Sequence, residues 1–163
     1  MKITKFYYSL LFCSLTLLAC HNNEQEMNIQ KCLIDDMEFS YCLKDTAGVE
    51  RNSFSKGELL VIGLSVKNKG NNTVMVNSQY FGACYDEKNQ RVEEMGVYIY
   101  PDTLPVYKEI RPGSTRDFSY LFVVDAPSGS YHYQNPHVSV YFDGKEESEK
   151  EYVLPLTINF KVK

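Results

Sequence analysis

The chain has 163 residues, of which 21 are acidic and 17 are basic, and its formal net charge is −4. This acidic balance argues against nucleic acid as a partner, because phosphates require clusters of Lys and Arg. Tyr and Phe are abundant, at 13 and 9 residues, and both favour β-strands, so the composition indicates a β-rich fold.

The first twenty residues indicate an export signal. Lys2 and Lys5 form a basic start, and residues 6–19 carry no charge and are mostly apolar. This pattern is typical of a secretory signal peptide, whereas a membrane span needs about 20 apolar residues. We therefore expect residues 1–19 to be a signal peptide that is removed.

The end of this segment indicates lipid attachment. The sequence Leu17-Leu18-Ala19-Cys20 resembles the lipobox of bacterial lipoproteins. The resemblance implies that the Cys20 sulfur receives a diacylglyceryl group, that the chain is cut before Cys20, and that the new N-terminus is acylated. Several acyl chains, at about 0.8 kcal/mol per buried CH₂, make a lasting membrane anchor. The alternative is an ordinary secretory signal in which Cys20 has no role.

The residues that follow Cys20 bear on location. Residue 21 is His rather than Asp, so a simple inner-membrane retention signal, as known in some Gram-negative bacteria, is absent. We expect a Gram-negative outer-membrane lipoprotein with palmitate-type chains in the membrane, facing either the periplasm or the cell surface. Residues 20–31 are polar and rich in Asn and Gln, which predicts a flexible tether.

The globular domain is expected at residues 32–163. Removal of 19 residues leaves 144 and changes the net charge from −4 to −6, because Lys2 and Lys5 are lost. A domain of this size buries enough surface to fold without covalent staples.

The domain is predicted to consist of strands, because its apolar residues recur with a period of two. From residue 37 apolar and polar side chains alternate, and an apolar run follows at residues 59–66. The turn-forming residues 67–72 precede a third strand that begins at residue 73. Further strands are predicted at residues 80–86, 92–100, 116–124, 130–142 and 152–162. Seven to nine short strands without a long amphipathic helix predict an all-β antiparallel sandwich.

Three segments resemble turn landmarks of bacterial immunoglobulin-like domains. Residues 58–76 resemble the B strand, turn and C strand, and residues 109–114 resemble the Pro-Gly entry into the E strand. Residues 126–131 resemble the corner before strand F, where a Tyr hydroxyl bonds to the backbone. The whole is similar to the bacterial intracellular proteinase inhibitor domain and to adhesion-related immunoglobulin-like modules. The resemblance implies an immunoglobulin-like β-sandwich but no particular function, because this fold hosts many.

Three cysteines other than Cys20 fall in the domain. An exported domain meets an oxidising compartment, so one disulfide with one thiol left over is expected. The candidates are Cys32, Cys42 and Cys84, and pairing of the first two requires a turn between them, for which residues 35–36 are suited. Three buried, reduced thiols are the alternative.

No linear motif for catalysis, cofactor binding or metal binding occurs in the sequence. His132 is expected to be an ordinary strand residue, and nothing favours its pairing with Cys84. The adjacent carboxylates at residues 35–36 and 93–94 would lie on opposite faces of a strand and are poor acid–base couples. We therefore predict no catalytic residue, no cofactor, no metal and no enzymatic activity.

Two groups of residues are candidates for binding or modification. Tyr98, Tyr100 and Tyr107 surround two prolines and are candidate binding aromatics for a protein or a carbohydrate; the alternative is that they fill the edge of the core. Thr46 and Thr103 each lie between an Asp and an aliphatic residue, which resembles the O-glycosylation acceptor of some anaerobic Gram-negative bacteria.

These patterns predict a lipid-anchored cell-envelope module that binds or scaffolds an envelope protein or a glycan without catalysis. Its contact with the membrane is expected through the acyl chains on Cys20. A proteinase-inhibitor-like module is the alternative, although no reactive loop matches. An enzyme with a site assembled only in three dimensions is the third hypothesis, and it requires a cleft where a thiol, a His and an acid converge.

Overall fold

The computed structural model describes residues 29–80, 82–92, 98–99, 107–142 and 148–163. The predicted signal peptide, Cys20 and most of the predicted tether lie outside these residues. The strands are β1 (Gln30–Ile34), β2 (Met37–Lys44), β3 (Ser53–Phe54), β4 (Leu59–Asn68), β5 (Val74–Tyr80), β6 (Ala83–Asp86), β7 (Tyr98–Ile99), β8 (Lys108–Ile110), β9 (Thr115–Val123), β10 (Gly129–Gln134), β11 (His137–Phe142), β12 (Glu149–Val153) and β13 (Thr157–Val162). Among the described residues there is no helix long and apolar enough to cross a membrane.

The first sheet has the order β1-β2-β4-β9-β7, with antiparallel pairing between all neighbours. Its N-terminal hairpin turns through Asp35 and Asp36, whose φ angles are 46° and 62°, as a two-residue type I′ turn requires. The turn foreseen between Cys32 and Cys42 is therefore present. β1 begins at Gln30, ahead of the expected start of the domain, because backbone pairing with β2 orders this strand although its side chains are polar.

The second sheet consists of two four-stranded halves, β3-β13-β10-β6 and β12-β11-β5-β8. The chain crosses from one half to the other at three places: between β5 and β6, between β10 and β11, and between β12 and β13. These three crossings lie side by side. Hydrogen bonds continue across the bend, since the Asn135 N–H donates to the Leu156 carbonyl at 3.0 Å and the Leu154 N–H to the Pro136 carbonyl at 2.9 Å. Two long predicted strands are therefore each divided in two.

Proline and glycine account for the bend. Pro136 and Pro155 have no N–H to donate to a ladder. Gly82 has a φ of 96°, which L-residues other than Gly rarely adopt. A Cβ on Gly82 would lie 2.5 Å from the carbonyl oxygen of Gln134, so a side chain does not fit where the chain passes into β6.

The core lies between the two sheets and follows the predicted period of two. Alternate residues of β4 are buried from Leu60 to Asn68, and their neighbours are only partly covered. On the facing sheet, the Phe160 ring stacks against Tyr131 at 5.7 Å and against Tyr133 at 5.5 Å between centroids. Buried aromatic pairs of this kind stabilise a fold beyond their area alone.

The topology is that of an immunoglobulin-like sandwich, which confirms the predicted fold class. The order β2-β4-β9-β7 corresponds to strands A, B, E and D, and the three bent strands of the second sheet correspond to C, F and G. β3 pairs in parallel with β13 at the edge of the second sheet. The thirteen described strands exceed the seven to nine expected, because the bend divides the predicted strands 130–142 and 152–162 and because β1, β3 and β8 were not predicted.

Asn68 joins two of the immunoglobulin-like turn segments. It is 1% exposed, and its amide nitrogen donates to the carbonyl oxygens of Asn72 at 2.7 Å and Ile110 at 3.0 Å. Its amide oxygen accepts the Gly70 N–H at 2.9 Å, and its backbone carbonyl accepts the Gly113 N–H at 2.8 Å. The turn after β4 and the turn before β9 are thus held together by one buried side chain.

The corner before β10 has the geometry that the resemblance implied. The Tyr131 hydroxyl donates to the backbone carbonyl oxygen of Pro127 at 2.8 Å, as in a tyrosine corner. This bond satisfies a carbonyl at the point where the chain enters the second sheet.

Candidate binding site

The half-sheet β3-β13-β10-β6 presents rows of side chains on its outer face, and two neighbouring rows form the candidate site. In one row His132 of β10 lies opposite Tyr85 of β6 on one side and Asn159 of β13 on the other. In the next row Ser130 lies opposite Lys161. The residues between them along each strand point into the core, since successive side chains of a strand alternate between faces.

A cleft of about 430 Å³ lies on this outer face. Its floor is formed by residues 130–132 of β10 and residues 159–161 of β13, and Asn52 and Glu87 also line it, next to β3 and after β6. This volume falls within the range of small-molecule sites. Because regular backbone pairing sets the positions of the floor, the cleft is formed before any ligand arrives.

The polar groups of the cleft are available to a ligand. The side chains of Asn52, Glu87, Ser130 and Lys161 are exposed, and among the described residues none of them has a hydrogen-bond or ion-pair partner. They supply one carboxylate, one ammonium group, one amide and one hydroxyl. The cleft therefore offers both donors and acceptors.

His132 forms an aromatic wall of the cleft. Its ring stacks on that of Tyr85, with centroids 5.5 Å apart and an interplanar angle of 17°. Because β10 lies between β6 and β13, the opposite face of the imidazole is on the β13 side, where the cleft lies. His137 is separate from this site, in β11, and its Nδ1 lies 3.1 Å from a carboxylate oxygen of Glu151.

The structure does not bring Cys84 and His132 together. Cys84 of β6 lies opposite Tyr133 of β10 and is buried in the core. His132 precedes Tyr133 on β10 and faces outward. Burial raises the pKa of Cys84 to about 12, so its thiol is protonated at neutral pH and is a poor nucleophile.

The three cysteines of the domain are free thiols in the structure. Cys32 lies opposite Phe39 of β2. Cys42 follows Phe39 by three residues, which corresponds to about 10 Å along the strand. Bridged cysteines have Cα atoms less than about 7 Å apart, so this pair would require movement of the backbone. Formation of a disulfide among Cys32, Cys42 and Cys84 stays a prediction.

The predicted binding aromatics lie away from the cleft or outside the described residues. Tyr107 precedes β8 and is 37% exposed. Its hydroxyl lies 2.8 Å from that of Tyr141, and the two rings meet edge to face with centroids 4.8 Å apart. Tyr98 belongs to β7, but its side chain and the whole of Tyr100 lie outside the described residues. A binding role for these tyrosines stays a prediction.

Thr46 is exposed in the turn between β2 and β3. The Asp45 carboxylate fixes this turn by accepting the backbone N–H groups of Ala47 at 2.9 Å and Val49 at 3.0 Å. Thr103 lies outside the described residues, and glycosylation of either threonine stays a prediction.

Within the described ranges, no three His, Cys, Asp or Glu side chains converge as a metal site would require. Asp35 has a structural role, because its carboxylate accepts hydrogen bonds from the Tyr152 hydroxyl at 3.0 Å and the Lys150 ammonium at 3.2 Å. Residues 93–94 lie outside the described part of the chain.

The cleft could not be predicted from the sequence. The sequence pattern indicates an ordinary strand residue at His132 and no role for Asn52, Tyr85, Ser130 or Lys161. These residues meet only through the pairing of β6, β10 and β13, which are remote in sequence. The available signal was the outward position of His132 between two buried tyrosines, and it does not reveal which strands lie beside it.

The chain matches one sequence family and is similar to several solved structures. The sequence model of a family described as a domain of unknown function (DUF4352) matches residues 23–147. A comparison with functionally curated proteins gives no significant match. Among solved structures, the chain is similar to PapD-like domain 7 of human CEP192, with a TM-score of 0.47 and 14% identity over 78% of this chain and 85% of that chain. It is also similar to the ApaA protein from Bordetella pertussis, with a TM-score of 0.46 and 14% identity over 77% of this chain and 94% of that chain.

Proposed function

We propose that this chain, which belongs to the DUF4352 family, is a non-catalytic binding module anchored in the cell envelope by lipid on Cys20. The observation that carries the proposal is the preformed cleft on the outer face of β3-β13-β10-β6, with polar side chains available to a ligand. A site on a rigid sheet loses little freedom when it binds, which favours recognition.

The chemistry of the cleft supports binding rather than catalysis. Covalent catalysis needs a nucleophile within hydrogen-bond reach of a base. Cys84 points into the core on the other face of the sheet from His132. Ser130 lies on the same face as His132 but in the next row, about 7 Å along the strand. Ser130 has no hydrogen-bond partner among the described residues. The available groups therefore suit the holding of a polar ligand.

The position of the cleft supports an anchored role. The chain enters the domain through β1, at the edge of the first sheet, whereas the cleft lies on the outer face of the second. Nine residues separate Cys20 from Gln30 at the start of β1, and the ten extended steps between these two residues span at most about 35 Å. The cleft is thus turned away from the sheet that receives the tether.

The anchor is tested with a clickable palmitate analogue and cell fractionation. We expect the wild-type chain to carry the label and to sediment with membranes, and the Cys20→Ala variant to lose the label and the membrane association. A labelled Cys20→Ala chain, or an unlabelled wild-type chain, would contradict anchoring through this residue.

The binding function is tested by photocrosslinking in living cells. A benzophenone amino acid replaces Asn52, an exposed residue that lines the cleft beside its floor, and, as a control, Ser119, which is exposed on the outer face of the first sheet. We expect an adduct of defined mass from position 52 that is absent from position 119. Absence of any specific adduct from the cleft, or identical adducts from both positions, would remove the proposal. The proteinase-inhibitor-like alternative stays a prediction.

A further inference from the structure

We infer that the cleft binds a neutral saccharide unit of one or two sugar rings. This inference rests on the proposed binding function and identifies the class of ligand. It combines three properties of the site: a flat aromatic wall, mixed donors and acceptors, and balanced charge.

The aromatic wall suits one face of a sugar ring. His132 is held upright by its stack on Tyr85, and its other face is on the side of the cleft. A pyranose ring has a face of C–H groups that packs on a flat ring, while its hydroxyls point outward around the edge. His132 is half-buried, so the wall is already oriented and loses little rotamer freedom on binding.

The hydrogen-bonding groups suit the edge of a sugar. Each sugar hydroxyl both donates and accepts, and the Asn52 amide and the Ser130 hydroxyl do the same. Glu87 adds an acceptor and Lys161 adds donors. These four side chains are exposed and have no partner among the described residues, so a ligand does not have to displace an existing bond.

The charge of the cleft favours a neutral ligand. Lys161 and Glu87 lie on either side of Ser130 in one row, because Ser130 pairs with Lys161 on β13 and the register of β6 brings residue 87 beside β10. One positive and one negative charge give no net attraction for phosphate or sulfate, which bind to clusters of cations. A protein partner is less suited, because interface hot spots are large, buried aromatic or Arg anchors and the exposed groups of the cleft are small or polar.

The test uses the purified full chain in detergent on an array of neutral oligosaccharides built from hexoses and N-acetylhexosamines. Sialylated and sulfated glycans serve as the charged comparison. We expect binding to members of the neutral set and a reduction of roughly 3- to 10-fold in His132→Ala, as loss of an aromatic contact predicts. His137→Ala is the matched control, because it removes a histidine of the same sheet outside the cleft, and it should retain the wild-type signal.

A second variant blocks the cleft and leaves the His132 ring in place. Ser130→Trp fills the cleft from an exposed position of its floor and should abolish binding with an unchanged melting temperature. Equal losses in the two histidine variants, or binding confined to charged glycans, would overturn the inference. Binding of no glycan, together with a specific protein adduct from position 52, would overturn the saccharide inference and leave the proposed function standing; absence of both would overturn both.

Discussion

The Tyr131 hydroxyl and the Pro127 carbonyl oxygen lie 2.8 Å apart, and their hydrogen bond closes the corner that leads into β10. The same strand carries the floor of the cleft. The stability of this corner and the geometry of the binding face are therefore connected through one strand.

Removal of this hydroxyl should destabilise the domain without removing the ring. We expect Tyr131→Phe to lower the free energy of unfolding by about 1 kcal/mol, because one hydrogen bond is lost and the carbonyl is left without its partner. Tyr85→Phe is the control, since its hydroxyl has no hydrogen-bond partner among the described residues. Urea unfolding of both variants measures the difference, and equal effects would contradict the role of the corner.

Asn68 should be more important for stability than any exposed residue of its turn. Asn68→Asp keeps the side-chain shape but lacks the amide donors to the carbonyls of Asn72 and Ile110, and buries an added charge. We expect a loss of about 3 kcal/mol, from two donors removed and a charge desolvated. Asn71→Ala, in the same turn and exposed, should stay within about 0.5 kcal/mol of wild type. Thermal unfolding compares them, and similar losses would contradict the clamp.

The three thiols should differ in reactivity. Burial raises the pKa of all three, to about 12 for Cys84, so the Cys84 thiol stays protonated at pH 8. We expect iodoacetamide to alkylate Cys32, which is only partly buried, before Cys42 and long before Cys84. Peptide mapping by mass spectrometry follows each site, and rapid labelling of Cys84 in the folded chain would contradict its placement in the core. The same maps without reduction reveal whether any disulfide forms.

The contact between Asp35 and Tyr152 should make the free energy of unfolding depend on pH in the acidic range. The hydrogen bonds from Tyr152 and then from Lys150 lower the pKa of Asp35, while burial and the bond to Asp35 raise the pKa of Tyr152 to about 12. A carboxyl group whose pKa is lowered on folding stabilises the domain at pH values above its unfolded-state pKa of about 3.9. This stabilisation is lost as the pH falls through the folded-state pKa.

Asp35→Asn should therefore lose less stability than wild type when the pH falls from 5 to about 2. Melting temperatures across this range give the comparison. Asp36→Asn is the control, because its side chain belongs to the same turn and has no hydrogen-bond or ion-pair partner among the described residues. Parallel pH profiles for wild type and Asp35→Asn would contradict the proposed linkage.

The fold could be predicted from the sequence where the hydrophobic or turn pattern was local. The period-two pattern at Met37 to Leu43 predicted β2 and its buried face, and the segments around residues 112–113 and 127–131 predicted turns that are present. β1 was not predicted, because its side chains are polar and only its pairing with β2 orders it.

The binding site could not be predicted from the sequence for a related reason. Its side chains belong to segments near residues 52, 85, 130 and 160, and nothing local indicates that these strands are neighbours. The bend in the second sheet likewise depends on Gly82 meeting the Gln134 carbonyl, a contact between distant segments. Local patterns predict which face of a strand is buried, whereas the pairing of strands determines which outward side chains meet.

The most direct test of the central claim is footprinting of Lys161 by acetylation, in intact cell envelopes and in the purified full chain. Lys161 lines the cleft, and Lys56, 66% exposed and 3.2 Å from Asp125, is the control outside it. Occupation of the cleft predicts that Lys161 reacts several-fold more slowly in envelopes than in the purified chain, while Lys56 reacts at the same relative rate in both. Equal rates for Lys161 in the two preparations would contradict binding through this cleft.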